Sequence, residues 1–187
     1  MAGRSRAPAG LTVSHFAVAA QAGRYCPMDR FDHEVTFFLQ DEDATARFGG
    51  WLAGQLQGGD CVLLSGPIGA GKSHLARAFI RQRLGRMEDV PSPTFTLVQI
   101  YDADVEIWHA DLYRLSHPDE VAELGLQDAF SHAICLVEWP DRLGNLAPEH
   151  AIRIELCTLE AGRRVSIKFD GRANLLASIR RDWIGND

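Results

Sequence analysis

The sequence predicts an α/β domain of three layers, in which a mostly parallel sheet carries an inserted antiparallel hairpin. Three observations predict it. Strand-like runs alternate with helical segments, residues 61–64 form the short apolar run typical of a strand buried on both faces, and a glycine-rich segment joins that run to an amphipathic helix. With 187 residues, 46% of them apolar, the chain can bury the core of one domain, which we place at residues 28–187.

The first half of this domain follows a strand–helix–strand–helix order. In residues 34–39 every second side chain is apolar, which predicts a half-buried strand. Asp41 and Asp43 offer N-cap chemistry for a helix with one apolar face, and Gly58 and Gly59 are expected to end it. The next helix is predicted to begin at Lys72 and to stop at Gly85.

The second half is predicted to be richer in strands. Residues 96–101 and 105–109 indicate a hairpin, and the apolar run 133–137 indicates a buried strand that ends at Glu138. The remaining predicted elements are a short helix over 118–124, an antiparallel pair over 152–156 and 165–169, and a closing helix over 174–183.

Residues 1–27 differ from the rest in composition. They contain Arg4, Arg6 and Arg24 but no acidic residue, and they have the character of a disordered tail. Met28 stands immediately before the first periodic segment, so an alternative is that translation begins there.

Charge and hydropathy exclude several classes of protein. A net charge of −6 argues against binding nucleic acid through a general electrostatic field, so we expect no DNA partner. The arginines at 77, 81, 83 and 86 leave a local basic face open, although they are more typical of a solvated helix surface. Since no apolar stretch approaches the ~20 residues that cross a bilayer, we expect a soluble, cytoplasmic protein with no membrane partner.

The cysteines favour the same compartment. Cys61, Cys135 and Cys157 lie in apolar, strand-like runs, and the sequence has no CxxC pair. We expect these three to be buried, reduced thiols.

Chemistry is concentrated first in residues 66–73, GPIGAGKS, which match the P-loop (Walker A) pattern without a mismatch. Glycines allow backbone N–H groups to point at a phosphate, and the following helix N-terminus adds positive charge. We expect Gly66, Gly69, Ala70, Gly71 and His74 to contact the phosphates through the backbone. Lys72 is expected to reach the β- and γ-phosphates, and the Ser73 hydroxyl to bind Mg²⁺. This motif predicts a P-loop NTPase fold.

Two acids are candidates for the metal and for catalysis. Asp111 and Glu138 each follow a predicted strand and are expected at the carboxyl edge of the sheet. Whether Asp111 acts on the metal or on water stays open at this point. His109, two residues before Asp111, is placed to help position a water molecule.

Residues 91–97 are expected to form an ordered loop. Pro91 and Pro93 restrict the backbone to extended forms, and the hydroxyls of Ser92 and Thr94 are candidates to face a γ-phosphate. A simple turn into the hairpin is the alternative.

Taken together, these segments resemble the TsaE family, known also as YjeE, of bacterial P-loop ATPases. The resemblance covers about residues 34–170. It rests on GPIGAGKS at 66–73, SPTFTLVQIY at 92–101, HADLYRL at 109–115, ELGLQDAF at 123–130 and VEWPDRLG at 137–144, which stand in family order.

The resemblance implies ATP and Mg²⁺ as ligands and a role in making tRNA N6-threonylcarbamoyladenosine. It implies that the protein acts on the TsaD and TsaB complex, meeting tRNA only through that complex. It also implies that Ser73 and Glu138 serve Mg²⁺, that Asp111 is needed for hydrolysis, and that residues 92–95 sense the nucleotide. The sequence departs from the family in having Ser73-His74 in place of Thr-Thr, and Asp141 where Glu is common.

Other functions are compatible with a P-loop. A small-molecule kinase would need an arginine-rich lid, which residues 100–150 lack, and a GTPase would need an N-K-x-D motif, which is absent from the sequence. A nucleotide-gated binding module without useful catalysis is the alternative from another class. Because no arginine is clearly placed to stabilise the transition state, we expect slow hydrolysis by the protein alone. Arg163 and Arg164 are candidates to contact the adenine.

Overall fold

The computed structural model describes residues 31–184, so the predictions for residues 1–27 and for Met28 lie outside the described residues. The strands are β1 (His33–Leu39), β2 (Cys61–Ser65), β3 (Val98–Tyr101), β4 (Ile107–Asp111), β5 (Ile134–Glu138), β6 (Ile152–Thr158) and β7 (Arg163–Phe169). The helices are α1 (Glu42–Ala53), α2 (Lys72–Leu84), α3 (Pro118–Ala122), α4 (Leu126–Ala129) and α5 (Ala173–Ile179), with a 3₁₀ segment at Pro140–Leu146 and a π-helical turn at Arg180–Ile184.

The strands form one seven-stranded sheet in the order β1-β7-β6-β2-β5-β4-β3. The pairs β6–β2, β2–β5 and β5–β4 are parallel, whereas β1–β7, β7–β6 and β4–β3 are antiparallel. The predicted hairpin and the predicted late antiparallel pair are therefore confirmed, with β3 as an edge strand. The expectation of a mostly parallel sheet is wrong as a statement about pairing: the sheet is mixed, because β1 joins β7 and extends the antiparallel side.

Helices cover both faces of the sheet, which confirms the three layers. Alternate residues of β2 belong to different apolar clusters: Val62 and Leu64 pack in one, and Cys61 and Leu63 in the other. The first cluster includes buried side chains of α1, α2 and α5, and the second includes those of α3 and α4. The sheet is thus apolar on both sides in its centre, as a layer between two helical layers requires.

The ends of the first two helices show which local signals were sufficient. The Asp41 carboxylate accepts a hydrogen bond from the Ala44 N–H at 2.6 Å, so α1 begins at the predicted N-cap. It ends at Gly54, however, four residues before the predicted glycines, and the buried Leu56 lies beyond the helix. The α2 helix begins at Lys72, and Gly85 ends it in the left-handed conformation with φ 63°, as predicted.

The predicted solvated face of α2 carries a structural role instead. The Arg77 Nε donates to the Val90 carbonyl at 2.8 Å, and the Arg81 Nε donates to the Glu88 carbonyl at 2.9 Å. These contacts fix the chain that leads from α2 towards the next loop.

The closing helix is shorter than predicted. It ends at Ile179, and Trp183 lies in the π-helical turn, where its ring packs 5.1 Å from that of Phe48. None of the helices in the described part of the chain combines the length and the apolar character that crossing a membrane requires.

The three cysteines in the described residues are free thiols, as expected. Cys61 and Cys135 are buried, but Cys157 is partly exposed, which corrects the expectation that all three are buried. The difference arises because Cys157 lies near the end of β6, where alternation turns its side chain away from the core.

Candidate nucleotide-binding site

The register of three parallel strands gathers the predicted site residues at one edge of the sheet. Leu64, at the end of β2, is paired with Glu138, the last residue of β5, and Glu138 is paired with Asp111, the last residue of β4. Paired residues in neighbouring strands project to the same face and lie about 5 Å apart. The P-loop therefore begins beside Glu138, and Glu138 lies beside Asp111, as predicted from the strand ends.

The backbone between β2 and α2 has the conformation for which glycine is suited. Gly66 has φ 131°, and a Cβ atom there would lie 2.2 Å from the Leu156 carbonyl oxygen. Gly69, with φ 79°, faces open space, since a Cβ there meets nothing within 4 Å. The first glycine is thus required by close packing against β6, whereas the second is required by its backbone conformation and by access from outside.

The N-terminus of α2 is open to an anion. Its N-cap is Gly71, which provides no side-chain cap, and the first intrahelical bond in this turn is from the Leu75 N–H to the Gly71 carbonyl. The N–H groups of Lys72, Ser73 and His74 precede that bond, so they point out of the helix end together with its partial positive charge. Phosphate contact by these groups stays a prediction.

The Lys72 side chain is buried beside the P-loop. Its Nζ donates to the carbonyl of Gly66 at 2.8 Å and to that of Pro67 at 2.9 Å, and it lies 4.1 Å from the centre of the Trp139 ring. Burial lowers the pKa of the ammonium group, while the nearby carboxylates of Glu138 and Asp111 oppose that shift. The ammonium group thus lies among hydrogen-bond acceptors at the start of the glycine-rich turn.

Ser73 and Glu138, the two predicted metal ligands, are in direct contact. The Ser73 hydroxyl donates to Glu138 Oε2 at 2.8 Å. The other carboxylate oxygen, Oε1, is 2.9 Å from the Nε2 atom of His109, and the side chains of His109 and Glu138 are only 1% and 2% exposed. His109 therefore contacts the carboxylate, and its predicted role beside a water molecule stays a prediction.

Asp111 is held by the loop that the two prolines define. Its Oδ2 accepts from Thr94 Oγ1 at 2.8 Å and lies 3.4 Å from Ser92 Oγ, while Oδ1 accepts from the Tyr113 N–H at 3.0 Å. The loop is a turn closed by the Leu97 N–H on the Pro93 carbonyl at 2.7 Å, which is why β3 starts at Val98 and not at the predicted residue 96. Ser92 and Thr94 thus face Asp111, and their contact with a γ-phosphate stays a prediction.

A polar cavity of about 380 Å³ lies at the N-terminus of α2. Its lining includes Gly69, Lys72, Ser73, His74 and Arg163, together with Glu42 at the start of α1. Arg163 Nε donates to the Ala70 carbonyl at 2.9 Å, and its NH1 donates to Thr45 Oγ1 at 3.2 Å. Of the two predicted adenine contacts, Arg163 is therefore at the cavity, while Arg164 is exposed on β7.

Sequence reasoning missed Trp139 and the role of Arg163. Trp139 has φ 59°, and its ring lies against Lys72 and 4.9 Å from the Tyr113 ring. The available signal was Pro140, which cannot continue a strand and so predicts a sharp turn after Glu138. No local signal predicted the Arg163 contact, because it joins residues that are 93 positions apart.

The donor set fits a magnesium ion that is shared with a phosphate ligand. Within the described residues, no group of three or more His, Cys, Asp and Glu side chains could hold a metal ion. Mg²⁺ commonly keeps several waters and takes one or two protein carboxylates plus substrate phosphates. The hard oxygen donors of Ser73 and Glu138, next to an open helix N-terminus, suit that mode of binding.

Comparison with known proteins agrees with this geometry. Residues 39–165 match the family model described as "Threonylcarbamoyl adenosine biosynthesis protein TsaE". Two proteins named "tRNA threonylcarbamoyladenosine biosynthesis protein TsaE" are similar to the chain. That of Rickettsia bellii is 37% identical over 128 residues, covering 68% of this chain and 89% of the relative, and that of Haemophilus influenzae is 35% identical over 140 residues, covering 71% and 88%.

A solved structure shares the fold. The crystal structure of Bacillus subtilis YdiB aligns with a TM-score of 0.65 and 24% identity, covering 78% of this chain and 93% of that one. The segment that matches the family model, residues 39–165, runs from the end of β1 to the middle of β7 and contains every residue discussed at the sheet edge. The chain therefore belongs to the TsaE family, whose members are named for threonylcarbamoyladenosine biosynthesis.

Proposed function

We propose that this protein binds ATP with Mg²⁺ at the P-loop and hydrolyses it slowly, in support of tRNA N6-threonylcarbamoyladenosine formation by the TsaD and TsaB complex. One observation carries the proposal. The open N-terminus of α2 follows β2, its Ser73 contacts Glu138, and Glu138 and Asp111 end the adjacent strands β5 and β4 at the same edge of the sheet. Open α/β sheets bind their ligands at this edge.

Each side chain has a chemical role in this proposal. Backbone N–H groups from Gly69 to His74 bind the triphosphate, and the Lys72 ammonium neutralises part of its charge. Ser73 and Glu138 hold Mg²⁺, which, when bound, neutralises charge on the phosphate oxygens. Asp111 supports hydrolysis, and its hydrogen bond from Thr94 couples it to the loop at residues 91–97.

We expect slow ATP hydrolysis by the protein alone because of where its positively charged side chains lie. Phosphoryl transfer needs positive charge beside the transition state. Both arginines that line the cavity are already engaged: Arg163 donates to the Ala70 carbonyl and to Thr45, and Arg77 donates to the Val90 carbonyl. We infer that the partner complex completes the arrangement, so that ATP hydrolysis becomes faster in its presence.

Two measurements test this function. Calorimetry with MgATP is expected to give saturable heat, and its absence from folded protein would overturn the proposal. Steady-state ATPase assays are then run with and without TsaD and TsaB, and a rate that the partners leave unchanged would contradict the proposed partnership.

Two variants separate an ATPase from a nucleotide-gated binding module. Asp111→Asn keeps an oxygen that can accept from the Tyr113 N–H, and Glu138→Gln keeps the volume of the side chain. Both are expected to abolish hydrolysis and tRNA modification together. If cells carrying a hydrolysis-deficient variant still modify tRNA at the normal level, hydrolysis is not the function and the binding module is favoured.

A further inference from the structure

His109 is a buried polar residue that the proposed chemistry does not use. It lies on β4, two residues before Asp111 and therefore on the same face of the sheet, with a side chain only 1% exposed. Its register partner is Leu136, and its ring reaches diagonally along β5 to Glu138. A leucine at this position would avoid the free-energy cost of burying a polar group, so the presence of an imidazole calls for an explanation.

The contact fixes which nitrogen carries a proton. A carboxylate only accepts hydrogen bonds, so the proton between Nε2 and Glu138 Oε1 belongs to the ring. Nδ1 is then left buried, and no hydrogen-bond partner for it exists among the residues that the structure describes. Leaving a buried polar atom unpaired costs free energy, and this cost is tolerated at the position that orients Glu138.

The two oxygens of Glu138 are each committed to one neighbour. Oε1 accepts from His109, and Oε2 accepts from the Ser73 hydroxyl at 2.8 Å. Rotation of the carboxylate would break the first bond and bury the ring nitrogen unpaired. His109 therefore holds the carboxylate with Oε2 directed at Ser73, which is the pair proposed above to bind Mg²⁺.

We propose that His109 is a positioning residue for magnesium, acting through Glu138 and not through the nucleotide. This inference rests on the proposed function. Groups that orient a metal-binding carboxylate typically affect metal affinity by 10–100-fold when they are removed. Among the described residues, the hydrogen bond of His109 is to Glu138 and not to the P-loop, so its loss should weaken the response to Mg²⁺ while leaving metal-free nucleotide binding intact.

The test uses three substitutions of one side chain. His109→Leu removes the donor and puts an apolar side chain of similar size in its place, and His109→Asn places its amide too close to the backbone to reach Glu138. His109→Gln extends an amide N–H to about the position of Nε2. Fluorescent ATP is bound to each protein in chelator, and Mg²⁺ is then titrated in while the fluorescence and the dissociation rate of the nucleotide are recorded.

His109→Leu and His109→Asn are expected to raise the Mg²⁺ concentration at the midpoint of the fluorescence titration about tenfold. Their affinity for metal-free ATP is expected to stay unchanged. His109→Gln should lie within about threefold of the parent. Equal midpoints in all four proteins would overturn the inference, as would equal losses with and without Mg²⁺, which indicate a merely structural role. If the leucine variant does not fold, the comparison of asparagine with glutamine decides. A parent protein that binds no nucleotide would instead overturn the proposed function, and this inference with it.

Discussion

Replacing Gly66 by alanine tests whether the P-loop is held against β6 by a glycine-only contact. The added Cβ would lie 2.2 Å from the Leu156 carbonyl oxygen and 3.2 Å from its carbonyl carbon, both of which belong to the backbone of a strand in the sheet. Neither atom can rotate away, so the loop must shift by about 1 Å. Such overpacking costs about 1–3 kcal/mol, and a side chain at φ 131° adds about 1–3 kcal/mol of backbone strain. We expect a loss of about 2–6 kcal/mol in the free energy of unfolding.

Gly69→Ala is the matched control, because it makes the same change in the same loop. Its Cβ would meet nothing within 4 Å, and φ 79° is near the left-handed region, so the expected cost is about 1–2 kcal/mol. Urea unfolding followed by circular dichroism gives both values. The Gly66 variant should also bind MgATP more weakly, because the Gly66 and Pro67 carbonyls that accept from Lys72 must move. If the two variants differ by less than about 0.5 kcal/mol, the argument from close packing is wrong.

Three further predictions concern stability. Burial raises the pKa of the Cys135 thiol from 9.0 to about 12, so above pH 9 the unfolded chain loses a proton that the folded chain keeps. Stability should therefore fall by about 1.4 kcal/mol between pH 8 and pH 10 through this thiol, and urea titrations of Cys135→Ala should show a shallower alkaline decline than the parent. Asp60→Ala removes the acceptor of Arg172 and of the Gln57 N–H, and since Arg172 is partly exposed we expect a loss of about 2 kcal/mol by urea unfolding, with no loss contradicting a role for this ion pair. Asp41→Ala removes the N-cap of α1 and should cost about 1 kcal/mol, whereas Asp41→Asn should recover most of it, and equal melting temperatures for the two variants would argue against the cap.

Local signals predicted those parts of the fold that local chemistry decides. The α2 helix has an N-terminal glycine-rich turn and a C-terminal glycine, and both of its ends were predicted. The end of α1 was missed because Gly54 competes with the more conspicuous Gly58 and Gly59, and a single glycine is a weak signal within a helical pattern. Pairing in the sheet is not local at all: β1 joins β7, where Val35 lies opposite Ile167. A chain pattern alone does not specify such a partner.

In the candidate site, too, the sequence predicted the features that are marked locally but not the contacts between distant residues. The P-loop, Asp111 and Glu138 were predicted because a motif or a strand end marks each of them. The contacts that orient them were not, since the Ser73–Glu138 bond depends on β5 lying beside β2, and the Thr94–Asp111 bond depends on the pairing register of β3 with β4. His109 was singled out by its position in the sequence, but its partner is decided by register across two strands.

Register also predicts that the site tolerates little change in β4. His109 and Asp111 occupy one face of this strand because they are two residues apart, and that face is the one against which α2 packs, since the neighbouring Leu136 and Val62 belong to the same cluster as Phe79 of α2. A shift of β4 by one residue would turn both side chains to the opposite face, where Leu112 now packs with α3 and α4. Glu138 would then lose its contact with His109, and Asp111 would lose Thr94. The apolar residues that alternate with His109 and Asp111 therefore hold the site residues on their proper side, so that the core of the sheet and the chemistry at its edge depend on the same register.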